Sequence, residues 1–429
     1  MACTFGDRLE REQFAVVGVG AGPANLGLAA MITELPALID AGSTRFFHDA
    51  HDISWHSGQL LPGASMLSEF YWDLVTPVNP RSRFSFLNYL SKKRRLAAFL
   101  NAGISRVSRA EFEDYLRWVS TQLDNLTLGS KVTRIEYCSG HDLFHVTTAR
   151  ANRPDDYFDA HNVVVGIGAQ KKRQLCSNSP SVISVTDLAF LSKDICDQKH
   201  SSVAVVGGGQ SAAEAIQLLI DALPDTPRFS WVCPTFAPAN INNSAFALEL
   251  FIDDGISDYH AARTQGREIV GVEGLVAGVD PELSRQLLAR QYTMRAIEGR
   301  QLEICRNFRV SDIRVDADDS VRLIQSTTGN ELGPFDLVVI ADGRASGMER
   351  ALSLFSTNTR KLIDRTAVNR DYARDLGRIS SRNIFFQSVN EETHSSTDSN
   401  FITAPFRNTR IISNLLGCTL DEIQSNWSY

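Results

Sequence analysis

The chain has 429 residues, of which 43% are hydrophobic and 22% are charged. This composition is typical of a globular protein with two or three domains, and it excludes a disordered, fibrous or disulfide-stapled chain. Its 43 Lys and Arg residues and 50 Asp and Glu residues give a formal net charge of -7. Such a mildly acidic chain is not built to bind nucleic acid or an anionic membrane over a large surface.

The first part of the chain contains acids, Asp7, Glu10 and Glu12, where a signal peptide has a basic region and then an apolar stretch. Residues 14–32 are uncharged, but a Gly-x-Gly-x-Gly-Pro sequence interrupts them, so a strand, a turn and a helix explain this segment better than a membrane span. We therefore expect a cytoplasmic protein without a membrane span. The sequence leaves a homo-oligomer open.

The same segment predicts a first nucleotide-binding turn. An apolar strand precedes the turn, a helix of small residues begins at Pro23, and the turn holds three glycines, Gly18, Gly20 and Gly22. In a Rossmann unit these glycines allow a pyrophosphate to approach the backbone and bind the N–H groups of the helix N-terminus. Residues 44–49 predict the next strand, and its end places His48 or Asp49 where an acid usually binds the ribose.

A second turn of this kind lies near the middle of the chain. Gly207-x-Gly209-x-x-Ala212 follows a strand-like run and opens a helix, which is the context that a dinucleotide-binding fingerprint requires. A dehydrogenase with one cofactor needs only one such turn. Two turns in one chain therefore indicate two dinucleotide sites.

Two further strand-like runs, 162–169 and 335–343, end in small residues, as do the strands that return to the cofactors in enzymes using both flavin and nicotinamide. We expect an α/β fold with two Rossmann-like domains, the second inserted in the first. The predicted parts are a discontinuous FAD-binding domain (1–190 and 375–429), an NAD(P)H-binding domain (195–345) and, within the latter, a helical substrate-binding region (about 245–300).

The cysteines and histidines show no metal-binding or disulfide pattern. The seven cysteines include no Cys-x-x-Cys pair, so reduced thiols are the simplest interpretation. His141 and His145 lead into a predicted strand, and we expect no metal site there. A flavoprotein disulfide reductase also has two dinucleotide turns, but its redox cysteine pair follows the first turn, and no cysteine lies between Cys3 and Cys138.

The region between the two turns resembles the flavin-dependent N-hydroxylating monooxygenases of siderophore biosynthesis, the lysine and ornithine N-monooxygenase family. The resemblance extends over nearly the whole chain, through the segments Ile53–Met66, Asp73–Leu90, Ser108–Val119, Ser211–Glu214, Asn243–Phe251 and Thr393–Asp398. Part of this text has a purely structural explanation: Ser108-x-x-Glu111 is a capping box that opens an amphipathic helix. Phe84, Phe86, Leu87 and Leu90 are expected in the core.

The resemblance implies FAD and NADPH as cofactors, with NADH open as an alternative, and a small amine and O2 as substrates. It implies that reduced flavin captures O2 as a C4a-hydroperoxide, whose distal oxygen is attacked by a neutral primary amine. The flavin carries this chemistry, so no catalytic acid/base dyad is expected. The cofactor-binding residues that it implies are Gly18, Gly20, Gly22, Pro23, Asn25, His48, Asp49, Trp55, His56, Met66, Gly207, Gly209, Gln210, Ser211 and Asp398.

The sequence departs from the family where the amino-acid substrate is held. Members that act on ornithine have Lys, Asn and Ser at positions that align with Trp72, Leu248 and Ile402. A buried carboxylate without donors is costly, so we expect an amine that lacks the α-carboxylate, such as a diamine or an aryl- or imidazolyl-alkylamine. Glu69 is expected to pair with a second ammonium, and Asn243 completes the predicted substrate-binding set.

The sequence leaves two alternative functions open. One is an L-ornithine or L-lysine N-monooxygenase with an altered binding pose, and the other is a degenerate relative that binds flavin without turnover. The family's arginine for the NADP 2′-phosphate is also missing near Pro234, which leaves the choice between NADPH and NADH open.

Overall fold

In the computed structural model, residues 11–36, 40–171, 175, 179–270, 272, 274–364, 366–376 and 380–427 are described. Cys3 and Cys176 lie outside these residues, and the other cysteines are free thiols. In the described part of the chain, no helix is long and apolar enough to cross a membrane.

The strands of the described residues, β1 to β18 in chain order, are Glu12–Val19, Thr44–Phe47, Leu126–Thr127, Lys131–Cys138, Leu143–Ala149, Asp156–Val165, Gln170–Lys171, Val182–Ser184, Ser202–Val206, Arg228–Val232, Gln301–Cys305, Val310–Val315, Val321–Gln325, Glu331–Phe335, Leu337–Ile340, Arg344–Ala345, Ala373–Asp375 and Asn383–Phe386.

The α-helices surround the sheets and are numbered in the same way. Within the described ranges, α1 to α14 are Pro23–Thr33, Phe86–Lys92, Leu96–Asn101, Arg109–Ser120, Leu188–Cys196, Gln210–Ala222, Ala245–Leu248, Asp253–Thr264, Pro281–Thr293, Met348–Leu352, Thr357–Ile363, Glu391–His394, Ala404–Leu416 and Leu420–Asn426. The predicted helical region at 245–300 thus contains α7, α8 and α9.

The first sheet is a Rossmann-like sheet with the order β17-β18-β6-β1-β2-β3. The neighbours from β18 to β3 run parallel, so the carboxyl ends of β1, β2 and β6 meet at one edge. An antiparallel pair, β4 and β5, extends from β6. The C-terminal strands β17 and β18 complete the sheet that the N-terminal strand begins, and this sheet with the helices packed on it is called the first unit.

The second sheet has the order β11-β10-β9-β15-β8, and every neighbouring pair is parallel. Strand β9 precedes the second glycine turn and is fully buried. Val182 pairs with Val338, so β8 lies in the second sheet although the predicted domain boundary falls after it.

Helix α4 packs in the core of the first unit. The Ser108 side chain accepts a hydrogen bond from the Glu111 N–H, which is one half of the predicted capping box, while the Glu111 carboxylate pairs with Arg95 at 3.0 Å. The helix buries Phe112, Tyr115, Leu116 and Val119 in the core of the first unit. Of the four predicted core residues before it, Phe84, Phe86 and Leu90 are buried, whereas Leu87 is 38% exposed and the prediction for it is wrong.

Ion pairs join the two units beside the cleft. The Arg109 guanidinium donates to both carboxylate oxygens of Glu214 on α6, at 2.7 and 2.8 Å. Arg106 donates to Asp280 at 2.7 Å, and the Gln59 amide donates to the Ser211 hydroxyl at 3.0 Å. These contacts hold the N-terminus of α6 against the first unit.

Candidate active site between the two glycine turns

A cleft of about 1310 Å³ lies between the carboxyl edges of the two parallel sheets. Open α/β sheets bind their ligands at this edge, where strand order reverses. Both predicted turns reach the cleft, which is lined by Gly20, Gly22 and Pro23 from the first and by Gly207, Gly209, Gln210 and Ser211 from the second.

The first turn is a cradle that only glycine can form. Gly20 has a φ of +85°, and a Cβ added there would lie 2.5 Å from the Gly166 carbonyl oxygen. A Cβ on Gly22 would meet no atom of the described residues within 4 Å, so its glycine leaves open space on the cleft side. Asn25 does not line the cleft; its amide donates to the carbonyls of Val19 and Gly20 and fixes the turn from behind.

The N-terminus of α1 is open to an anion. Gly22 is its N-cap, Pro23 is its first residue, and no described side chain caps it. The first N–H groups of such a helix and its dipole favour a phosphate. The uncapped helix and the open space beside Gly22 fit a dinucleotide pyrophosphate.

The second turn repeats this arrangement. Gly207 has a φ of +143°, and a Cβ there would lie 2.3 Å from the Ala341 carbonyl oxygen. Gly209 is the N-cap of α6, again without a side-chain cap among the described residues. The Gln210 side chain donates to Glu214 and accepts from the Asp280 N–H, which secures the helix start against α9.

His48 and Asp49 lie at the end of β2 and both line the cleft, as expected of a ribose-binding position. The Ala21 N–H donates to His48 Nδ1 at 3.3 Å, so this nitrogen is an acceptor. Burial lowers the pKa of His48, which keeps the imidazole neutral near pH 7. The Asp49 side chain is 66% exposed and is the available carboxylate at this position.

Aromatic residues form one wall of the cleft. The backbone N–H of Trp55 donates to the buried Glu113 carboxylate at 2.7 Å. The centroid of the Trp55 ring lies 4.3 Å from that of the His56 ring and 6.0 Å from that of the Phe401 ring. Trp55, His56 and Phe401 all line the cleft. Such a wall suits a flat conjugated ring.

Three other predicted cofactor residues lie outside the described lining of the cleft. Gly18 is in β1, where a Cβ would lie 2.0 Å from the Phe46 ring, so its glycine serves packing. Met66 is in the core of the first unit, and its neighbour Leu67 lines the cleft instead. Asp398 is fully buried and its carboxylate pairs with Arg407. Asp398 therefore supports the segment that places Ser399, Asn400 and Phe401 in the cleft.

The three positions that depart from the family come together in the fold. Ile402 belongs to a small apolar cluster with Ala247, Phe251 and Leu275, and Trp72 and Leu248 pack against it. None of the three is among the described residues that line the cleft, but Phe401 contacts both the cleft and this cluster. Trp72, Leu248 and Ile402 thus share one apolar environment, which adjoins the cleft wall at Phe401.

The polar members of the predicted substrate set, Glu69 and Asn243, lie in two different loops. The Glu69 carboxylate is 4.0 Å from Arg106 Nε, whereas Arg106 makes its short contact of 2.7 Å with Asp280. The backbone N–H of Trp72 donates to the backbone carbonyl of Glu69, which places both residues in one turn. Asn243 is exposed in the loop before α7 and, like Glu69, is not among the described lining residues.

Several cleft residues were not predicted individually. They come from loops after β6 and β15 and from the C-terminal part: Gly166, Ile167, Gly168, Ala169, Asp342, Gly343, Gln387, Ser388, Glu391, Ser399 and Asn400. The signal for the first two loops was present, because both strands end in small residues. The C-terminal residues follow no local pattern, since β18 joins the first sheet only in the folded chain.

Comparison with known proteins agrees with this geometry. The chain is 28% identical to the L-lysine N6-monooxygenase of Escherichia coli over 437 residues, 95% of each chain. It is 27% identical to the putrescine N-hydroxylase of Shewanella oneidensis over 426 residues, 95% of this chain and 82% of that one. Among solved structures, the ornithine N-hydroxylase of Kutzneria sp. 744, with reduced FAD, NADP+ and L-ornithine, is 28% identical with a TM-score of 0.81, covering 94% of this chain and 99% of that one.

The match to a family model covers both glycine turns. Residues 12–345 match the model for L-lysine 6-monooxygenase/L-ornithine 5-monooxygenase, from β1 to β16. The two uncapped glycine turns, the cleft between them and this match lead to one conclusion. The chain belongs to the L-lysine 6-monooxygenase/L-ornithine 5-monooxygenase family of flavin-dependent N-hydroxylating enzymes.

Proposed function

We propose that this chain N-hydroxylates a small primary amine without an α-carboxylate, using FAD, NADPH and O2, in the biosynthesis of a siderophore or another natural product. The observation that supports this substrate class is the shared apolar environment of Trp72, Leu248 and Ile402. The putrescine N-hydroxylase among the relatives shows that the family includes enzymes for diamines.

The physical argument rests on the cost of burying a carboxylate. An ion moved out of water into a site without a partner loses several kcal/mol, even after the site relaxes. None of the three positions that hold the amino-acid backbone in the family offers a cation here, and only the Trp72 indole N–H remains as a side-chain donor. An amine whose far end is apolar, or carries only a second amine, does not meet this cost.

Glu69 supports a diamine in particular. Its side chain is about one-third exposed, and its contact with Arg106 is long, at 4.0 Å from the Arg106 Nε. The Glu69 carboxylate therefore retains capacity for a second cation. Desolvation, and after it the charge of Glu69 two residues earlier in the chain, raises the pKa of Tyr71. A ring and a carboxylate together suit an ammonium group.

The two glycine turns would hold the two cofactors. Gly20, Gly22 and the N-terminus of α1 fit the FAD pyrophosphate, and Gly207, Gly209 and the N-terminus of α6 fit that of the nicotinamide nucleotide. When bound, the reduced flavin supplies activated oxygen for transfer to the amine. The protein positions the neutral amine beside the Trp55 and Phe401 wall and excludes water.

The proposal predicts the order of substrates. We expect hydroxylamine formation with putrescine, cadaverine or histamine to exceed that with L-ornithine or L-lysine by about 100-fold or more in kcat/KM, the equivalent of roughly 3 kcal/mol. Initial rates should be measured by direct hydroxylamine assay, because NADPH oxidation alone includes uncoupled turnover. Pentylamine lacks the second ammonium that Glu69 is proposed to bind, so it is the control for this residue. Cadaverine should have a lower KM than pentylamine. A best rate with ornithine or lysine would contradict the proposal, and an FAD-loaded protein that hydroxylates no amine would favour a degenerate relative.

We also propose Arg306 as the cation that selects NADPH. The loop after β10, where a Rossmann domain recognises the 2′-phosphate, begins at Cys233 and Pro234, and Pro234 lines the cleft. Arg306 follows the neighbouring strand β11, donates to the Phe236 carbonyl at 2.9 Å and lies over the Phe236 ring. It is exposed, so its guanidinium is available to a phosphate at the same edge.

Replacing this cation should change nucleotide selectivity. In Arg306→Met we expect NADP+ to bind about tenfold or more weakly, because a charge-assisted hydrogen bond is worth about 1.5–3 kcal/mol, while NAD+ binding stays unchanged. Calorimetric titration of both nucleotides measures the two dissociation constants. Arg309→Met, another exposed arginine three residues further on, is the matched control. Equal losses for NADP+ and NAD+ would assign Arg306 a structural role.

A further inference from the structure

A cluster of metal-ligating side chains lies at the far end of the β4–β5 hairpin. Cys138 ends β4, His141 is in the turn and His145 is on β5. One ligand atom from each residue lies within 4.8 Å of the others, and Cys138 Sγ is 3.5 Å from His141 Nδ1. The three residues have the spacing Cys-x-x-His-x-x-x-His.

The hairpin register explains why these side chains meet. Cys138 faces Leu143 across the antiparallel pair, and Glu136 faces His145. Side chains directly opposite each other share a face, as do residues two apart, so Cys138 and His145 lie on one face as diagonal neighbours. The tight turn, in which Asp142 has a φ of +51°, brings His141 over the same face.

A carboxylate orients one of the ligands. Asp159 Oδ1 on β6 lies 2.7 Å from His145 Nδ1, and Arg11 Nη1 lies 2.8 Å from the same nitrogen. Histidines that bind metals commonly donate their other ring N–H to a carboxylate, which fixes the tautomer and ring orientation. Arg11 also pairs with Asp159 at 3.5 Å, so its charge is offset by that carboxylate. The cluster is open to solvent through the exposed His141, while Cys138 is buried.

We propose that Cys138, His141 and His145 form a site for a borderline-soft divalent cation, with Zn²⁺ the best fit. One thiolate and two imidazoles are the donor set that zinc prefers, and a water completes a tetrahedral site. Binding releases the thiol proton, so the thiolate offsets one charge of the cation. The other end of β4, at Lys131, lines the cleft, and the eight-residue strand separates the two sites by about 20 Å. The metal would therefore fasten the hairpin turn and take no part in the oxygen chemistry.

The test is zinc binding by the full FAD-loaded chain. We expect one Zn²⁺ per chain in competition with a chromophoric chelator, and His141→Ala should lower its affinity about 100-fold or more, since loss of an outer partner alone costs 10- to 100-fold. Cys138→Ser should have the same effect. His51→Ala and Cys196→Ser, which change an exposed histidine and an exposed cysteine elsewhere, should leave the affinity unchanged.

Cobalt provides a second readout at the sulfur. Co²⁺ should give a thiolate-to-metal charge-transfer band with the unaltered chain and with His51→Ala, and none with Cys138→Ser. Because His141 is exposed, His141→Ala should keep its fold and FAD content, so its loss of zinc reports on the ligand itself. Zinc affinity that is equal in His141→Ala and the unaltered chain, or zinc binding without a thiolate band, would show that the cluster is only a thiol–imidazole hydrogen bond.

Discussion

Arg407→Met should destabilise the folded chain by about 3–5 kcal/mol, because it leaves the Asp398 carboxylate buried without its cation. Both side chains are fully buried. Arg407 also donates to the Gln387 side chain and to the Asp398 carbonyl, whereas Asp398 accepts the Asn390 N–H. The substitution thus breaks a network that joins α13 to the segment before it.

Urea unfolding, followed by tryptophan fluorescence, measures this loss. Arg360→Met is the matched control, since it removes an exposed ion pair with Glu349 and should cost less than about 1 kcal/mol. Because the Asp398 segment continues into the cleft residues Ser399 and Asn400, we also expect weaker FAD retention in Arg407→Met. Similar unfolding curves for Arg407→Met and Arg360→Met would show that the pair is dispensable.

Gly20→Val should produce a folded but nearly colourless protein. The added Cβ would lie 2.5 Å from the Gly166 carbonyl oxygen, and a β-branched residue disfavours a φ of +85°. The turn must therefore move away from the cradle geometry. We expect FAD affinity to fall about 10- to 100-fold, which corresponds to roughly 1.4–2.8 kcal/mol of strain and lost contacts.

FAD content and dissociation constant, from absorbance and from flavin fluorescence titration, test this prediction. Gly140→Ala is the control, because its φ is ordinary and a Cβ there meets no described atom within 4 Å. Circular dichroism should show the same secondary structure in both variants. A Gly20→Val protein that retains FAD as the unaltered chain does would mean that the first turn does not bind the flavin nucleotide.

The predictions that succeeded rest on local physics. The glycine turns follow apolar strands and precede helices of small residues, and their backbone conformations at Gly20 and Gly207 are the ones that such turns require. The inner strands β9 and β15 of the second sheet are buried along their whole length, as is typical of a parallel sheet covered on both faces.

What could not be predicted from the sequence depends on contacts between distant segments. The resemblance implies a cofactor-binding role for Asp398, but its partner Arg407 lies on α13, and only the fold shows that the pair is buried. The approach of Cys138, His141 and His145 depends on hairpin register, which the sequence does not state. By contrast, the meeting of Trp72, Leu248 and Ile402 could be anticipated through the family resemblance, although no local pattern connects them.

The central claim is that the amine lacks an α-carboxylate, and one competition experiment tests it most directly. The FAD-loaded chain, with NADPH and O2, is given equal concentrations of cadaverine and L-lysine, and both N-hydroxylated products are counted by mass spectrometry. Their ratio at low conversion equals the ratio of kcat/KM values. We predict at least about 100 molecules of N-hydroxycadaverine for each molecule of N-hydroxylysine, from the cost of a buried, unpaired carboxylate. An excess of N-hydroxylysine would contradict the account.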